Sequence, residues 1–175
     1  LEALDETMVP AAAGPIRIKQ LQYPAVVDHT QDHLAPIARE AVELYDASAH
    51  LPPAERKQIL LDRGFLSRIR ANSIVTRADS GQTEEVELNA IAIGDISFVT
   101  APFELFCSVP MHIKANTPFA MTFFMGYCNG ASGYLPDKTG FKYSTYEVQN
   151  RRFVEGTAED IGQTHLQMLR ELKDN

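Results

Sequence analysis

The spacing of apolar residues changes character near Gly64. Before it, Ile37, Ala41, Leu44 and Tyr45 recur at helical spacing. This predicts a helix from a cap at Asp32 to about Ala47, with Pro36 tolerated in the first turn. Pro52-Pro53 opens a second helix, AERKQILLDRG, which Gly64 ends. The pair is solvated on one side and reads as a peripheral layer. Upstream, Ile16, Ile18 and Leu21 mark a strand in IRIKQLQYPAVVD that Pro24 confines to an edge or an end. Residues 1–15 form an irregular lead-in punctuated by Pro10, Gly14 and Pro15.

Beyond Gly64 the pattern turns to strands. SRIRANSIVTRA and EEVELNAIAIG read as two strands joined by Asp79-Ser80-Gly81-Gln82. Gly94-Asp95, set between Ile91-Ala92-Ile93 and Ile96-Ser97-Phe98-Val99-Thr100, marks a β-hairpin. Pro102 opens a helix to about Ala115, and FAMTFFMGYC is apolar at successive positions, as in a central strand covered on both faces. A strand at 96–101, a helix at 103–115 and a strand at 119–128 make one βαβ unit with a right-handed crossover. A Gly- and Tyr-rich loop spans 129–147, and an amphipathic helix runs from about Thr157 to Leu172. The expected fold is α/β, or α+β: a central mixed sheet with a βαβ unit and a β-hairpin, flanked by helices. The expected division places a strand and a helical pair in residues 1–64, and the sheet, loop and last helix in 65–175.

Composition narrows the function classes. The chain has 175 residues, 45% hydrophobic and 22% charged, values that suit one folded domain. With 16 Lys and Arg against 23 Asp and Glu, its net charge of −7 argues against a nucleic-acid partner. No apolar run reaches the roughly 18 residues of a membrane span, so no transmembrane segment is expected. Two cysteines leave the redox compartment open. The opening Leu1-Glu2-Ala3-Leu4 lacks an initiator Met and a signal-type stretch, which predicts a processed product or a fragment.

Candidate chemistry concentrates after the βαβ strands, where open sheets bind ligands. Glu104 heads the predicted helix, with Cys107 and Met111 on the same face. Its carboxylate either binds a metal ion or is a first-turn acid favoured by the helix dipole. The loop Cys128-Asn129-Gly130-Ala131-Ser132-Gly133-Tyr134-Leu135-Pro136 leaves the other strand and should lie beside Glu104. It brings Tyr134 near Tyr127, Tyr143 and Tyr146. Phenols there could donate to an oxyanion or ligate a metal, or be core-edge residues with wet hydroxyls. His29 and His33 have the spacing of paired metal ligands but lack the acid of a zinc helix. Cys107 and His112 point to different helix faces, and His50, His112 and His165 read as surface residues. Cys107 and Cys128 read as buried free thiols, with a disulfide left open. P-loop, GxGxxG and GxSxG motifs are absent.

Four short motifs in the stretch from about Glu87 to Leu172 resemble the C-terminal part of the catalytic domain of neutral/alkaline ceramidases. They are Ala101-Pro102-Phe103-Glu104, Asn129-Gly130-Ala131-Ser132-Gly133-Tyr134, Tyr146-Glu147 and Glu155-Gly156-Thr157-Ala158-Glu159. Phe103 stands where the family has Gly. The resemblance implies that Glu104 and Tyr134 are zinc ligands and that Tyr146 hydrogen-bonds the scissile amide carbonyl. It also implies that two zinc histidines and an active-site serine lie upstream of Leu1. The implied function is hydrolysis of the N-acyl amide bond of ceramide-like sphingolipids by a zinc enzyme of which this chain is a piece, inactive by itself. Its implied partners are a lipid-like amide substrate and the upstream half of the same protein, and its implied location is secreted or periplasmic. A degenerate, non-catalytic binding module and an unrelated hydrolase of another amide or ester remain the alternatives.

Overall fold

Alternation from Ile16 to Lys19 opens the eleven-residue strand β1 (Ile16–Val26), because successive side chains of an extended chain point to opposite faces. Lys19 pairs with Glu171, and the Arg17 guanidinium lies 5.8 Å from the Phe119 ring centroid, while Ile16 and Ile18 face away and stay exposed. The computed structural model describes residues 14–143 and 145–174, so most of the expected lead-in at 1–15 lies outside the described residues.

Three helices follow: α1 (Ala35–Ala47), α2 (Pro53–Leu61) and α3 (Arg68–Ala78). Asp32 belongs to a short 3-10 turn ahead of α1 and caps nothing with its side chain. Gly64, at φ 81°, ends the second helix as expected, with Phe65 N–H donating to the Leu60 carbonyl at 2.9 Å. The third helix corrects the expected strand over 67–78. Ser67 accepts from the Arg70 N–H at 3.1 Å, and the buried side chains Ala71, Ile74 and Arg77 recur every third residue, on one helical face. Ala71 and Ile74 pack with Ala38, Ala41, Leu60 and Phe65 in a separate small core. The helical layer is therefore a three-helix unit with its own interior, not a pair.

The sheet continues with β2 (Thr83–Ile93) and β3 (Ile96–Thr100). Next come β4 (Glu104–Leu105), α4 (Ser108–Asn116), β5 (Met121–Met125) and β6 (Tyr134–Leu135). The chain closes with α5 (Tyr146–Gln149) and α6 (Thr157–Asp174). The main sheet has the order β1-β2-β3-β5, antiparallel except for the parallel β3–β5 pair. The expected hairpin is present: Ile93 pairs with Ile96 across Gly94-Asp95, and Gly94 has φ 58°. The βαβ unit is present too, as β3, α4 and β5.

Two expectations fail within that unit. The expected helix from Pro102 starts only at Ser108, because Phe103 is buried edge-on against Phe153 and Glu104-Leu105 are extended, pairing with β6. Glu104 is thus not a first-turn acid, and it shares no helical face with Cys107 and Met111. Strand β5 is an edge, not a centre: Met121, Phe123 and Met125 are 52%, 43% and 42% exposed.

One face of the sheet carries the main core. Leu88, Ala90, Ala92 and Val99 pack with Ile161, Leu166, Leu169 and Leu172 of α6 and with Val109 and Ile113 of α4. His165 sits in this core, not on the surface. Its Nε2 lies 3.0 Å from the Thr100 carbonyl, its ring is edge-on to Phe124, and burial pushes its pKa down to about 4. His50 and His112 are exposed as expected. Cys107 is exposed, Cys128 is half-buried and both are free, which corrects the expectation of buried thiols.

Candidate functional site

The site begins where β3 ends. Ala101, Pro102 and Phe103 are buried, and a second, polar length of chain lies against them. Tyr127 N–H donates to the Phe103 carbonyl at 3.2 Å, Cys128 N–H to that of Ala101 at 3.3 Å and Ser132 N–H to that of Pro102 at 2.6 Å. A Cβ at Gly126 would come within 2.8 Å of the Phe103 oxygen, so this approach requires glycine. Tyr127 at φ 53° and Asn129 at φ 61° take left-handed conformations uncommon outside glycine. Such conformations persist when the surroundings over-determine them, and they collect at functional sites.

Two-residue strands then align the expected ligands. Strands β4 and β6 run parallel, with Glu104 opposite Tyr134 and Leu105 opposite Leu135, and Glu104 N–H donates to the Gly133 carbonyl at 3.0 Å. Alternation turns Leu135 into the core and leaves Glu104 exposed and Tyr134 half-buried on the other side. The Tyr127 hydroxyl donates to Glu104 Oε2 at 3.1 Å. The Tyr134 and Tyr146 rings meet edge-to-face with centroids 5.8 Å apart. Glu104, Tyr134 and Tyr146 therefore lie in one cluster, and Tyr127, noted in the sequence only as a neighbour, joins it through a direct hydrogen bond. The sequence signal for Tyr127 is its place at the start of the Gly- and Asn-bearing loop.

The electrostatics follow from that packing. The Glu104 carboxylate, then partial burial, then Tyr146 and Glu147 raise the Tyr134 phenol above its ordinary value. Tyr127 is raised by burial and by its hydrogen bond to Glu104. The Glu147 carboxyl is held below the usual range by its own backbone N–H and by the Thr145 hydroxyl. A neutral phenol beside a carboxylate can donate a hydrogen bond, and a bound cation would reverse the shift and favour phenolate.

The histidines stand apart from this chemistry. His29 uses both ring nitrogens locally, Nδ1 at 2.8 Å from Asp32 Oδ2 and Nε2 at 3.1 Å from the Gly81 carbonyl, and His33 is exposed. His112 is hydrogen-bonded to Gln163 and Asn116. Among the described residues no group of three His, Cys, Asp or Glu side chains could hold a metal ion. Glu104 and Tyr134 together offer a carboxylate and a phenol oxygen side by side, a donor pair that fits part of a zinc site but not a whole one. No described helix is long and apolar enough to cross a membrane.

No protein-family model and no curated protein matches the sequence. Solved structures do. Neutral ceramidase from Pseudomonas aeruginosa superposes with a TM-score of 0.56 at 14% identity over 92% of this chain and 29% of that one. A ceramidase complexed with C2 gives a TM-score of 0.47 at 18% identity over 50% of this chain and 15% of that one. The chain spans less than a third of the length of either structure. It is an α/β chain with a ceramidase-like fold.

Proposed function

We propose that this chain is the C-terminal part of the catalytic domain of a zinc-dependent amidohydrolase resembling neutral ceramidase. The observation that carries the reading is the register of β4 and β6, which sets Glu104 beside Tyr134 with the Tyr146 ring against it. In this reading Glu104 and Tyr134 hold the metal together with two histidines from upstream of Leu1. A bound zinc ion supplies Lewis acidity toward the amide carbonyl or lowers the pKa of water.

The chain's own residues do the rest. Tyr127 donates to Glu104 Oε2 and so fixes the carboxylate's orientation, leaving Oε1 for a ligand. Tyr146, exposed beside Tyr134, directs its hydroxyl proton to the oxygen of the scissile amide as negative charge builds there. The substrate class is a lipid amide of ceramide type, cleaved to a fatty acid and a sphingoid base.

The test is hydrolysis of a fluorescent short-chain ceramide by the complete protein, before and after chelation. Zinc-dependent turnover is the expected result. A complete protein that binds no zinc and cleaves no amide would overturn this reading and favour the degenerate binding module.

A further inference from the structure

A sheet has two faces, and α4 and α6 pack against only one of this sheet's faces. On the other, the register lines up Ile16, Ile93, Ile96 and Met121 in one row across all four strands. The next row is Ile18, Ile91, Phe98 and Phe123, with the two phenylalanine rings stacked at 5.3 Å. None of these eight positions is charged. Ile16 and Ile18 are each 66% exposed, Met121 52% and Phe123 43%. At about 4.8 Å per strand the apolar surface is roughly 19 Å wide, and contiguous apolar surfaces of this kind mark interaction sites.

The third row leads to the candidate site. It runs Gln20, Asn89, Thr100, Met125. Asn89 donates to Thr100 Oγ1 at 3.2 Å and to Glu87 Oε1 at 2.9 Å, and the same Glu87 oxygen accepts from Asn129 at 2.5 Å. Asn129 lies two residues after Tyr127, which holds Glu104. A layer resting on the apolar rows therefore ends beside the Glu104–Tyr134 pair.

We propose that this sheet face is the docking surface for an apolar layer contributed by the remaining part of the same polypeptide, which thereby brings its own side chains to the Glu104–Tyr134 cluster. The identity of the partner rests on the function proposed above. Three observations choose this occupant. The fold covers 92% of this chain but only 29% of the neutral ceramidase it matches, so there it is one portion of a larger chain. The two apolar rows span all four strands without a charge, which suits a second sheet or helix layer stacked about 10 Å away and offers no cation to anionic headgroups. The face's polar end meets a site that has two ligand oxygens and needs further donors.

Thiol labelling tests this in the complete polypeptide carrying Cys107→Ser and Cys128→Ser. Ile18→Cys and Phe123→Cys should each react roughly tenfold or more slowly than Leu66→Cys, which is 69% exposed on the helical layer. Two positions on different strands guard against one variant failing to fold. Equal rates at all three would overturn the proposal. So would protection that persists in the 175-residue chain alone, that is lost on dilution, or that appears only with phosphatidylcholine vesicles. These outcomes assign the face to the chain's own first residues, to a second copy or to lipid. A natural polypeptide with nothing beyond these residues would overturn it too. Labelling reads no catalysis, so unprotected cysteines in a zinc-dependent amidase sink the docking alone, and protected cysteines in an inactive protein sink the function alone.

Discussion

Glu104 lies directly opposite Tyr134 across two parallel strands of two residues each, and the Tyr127 hydroxyl reaches the Glu104 carboxylate from the loop between them. Residues thirty positions apart thus become one oxygen-rich patch on an otherwise apolar support. Leu135, the inward neighbour of Tyr134, is fully buried and anchors the arrangement.

If this pair holds zinc in the complete protein, Glu104→Ala removes zinc and amide hydrolysis together. Glu104 is exposed, so the metal-free proteins should differ in stability by no more than about 0.5 kcal/mol, and only the wild type should gain stability when zinc is added. Tyr127→Phe keeps the ligand but releases its orientation, and about a tenfold loss of zinc affinity is expected. Metal content and thermal unfolding measured on the same samples check both. Full zinc in Glu104→Ala would remove this residue from the ligand set.

Tyr146→Phe separates metal binding from chemistry. The variant keeps its zinc while kcat falls about a hundredfold with KM little changed, as for loss of one oxyanion donor. An unchanged kcat would leave Tyr146 as packing for Tyr134.

Burial of His165 makes stability depend on pH. Its folded pKa of about 4 lies below the ordinary value of 6.5, so the folded protein holds it neutral while the unfolded chain takes up a proton. This contribution is constant above about pH 6.5 and falls by about 3 kcal/mol as pH drops toward 4, then levels off. Urea unfolding from pH 7.5 to 4 should show the decline, and His165→Gln should flatten it. Equal slopes in both proteins would refute the assignment.

Arg77 is 1% exposed and is the largest fully buried side chain. Its guanidinium donates to the Arg151 carbonyl and to Gln31 Oε1, tying α3 to the stretch between α5 and Phe153, and burial pushes its pKa down to about 10. Arg77→Ala strips the Arg151 carbonyl of this donor, leaves Gln31 Oε1 with Arg70 alone and empties a fully buried site, which should cost about 3 kcal/mol of stability. Lysine cannot span two acceptors with a planar fork, so Arg77→Lys should recover less than half of it. Chemical denaturation of the three proteins gives the answer.

Local signals carried much of the fold. The Gly94-Asp95 turn, the stop at Gly64, the Pro24 limit on β1 and the final helix are set by residues within a few positions of one another. The Ser67 cap was an equally local sign, but Ile69, Ala71, Ser73 and Val75 also satisfy a two-residue period, and the Ala38–Ala41 surface of α1 settled the segment as helix. His165 looked like one polar residue on an amphipathic helix. Its burial arises only because α6 lies across the sheet beside Thr100 and Phe124.

By itself, the sequence determined β1, the first two helices, the β2–β3 hairpin and the last helix, and which residue types offer chemistry: one carboxylate after β3 and a run of tyrosines after β5. Backbone geometry and side-chain period act over a few residues, so such features are readable locally. Tertiary structure alone decided that β5 is an edge, that Glu104 is extended and not helical, and that it stands opposite Tyr134. These depend on pairing and burial between distant segments, where Phe103, Gly126 and Leu135 lock together regardless of the propensities of the chain around them.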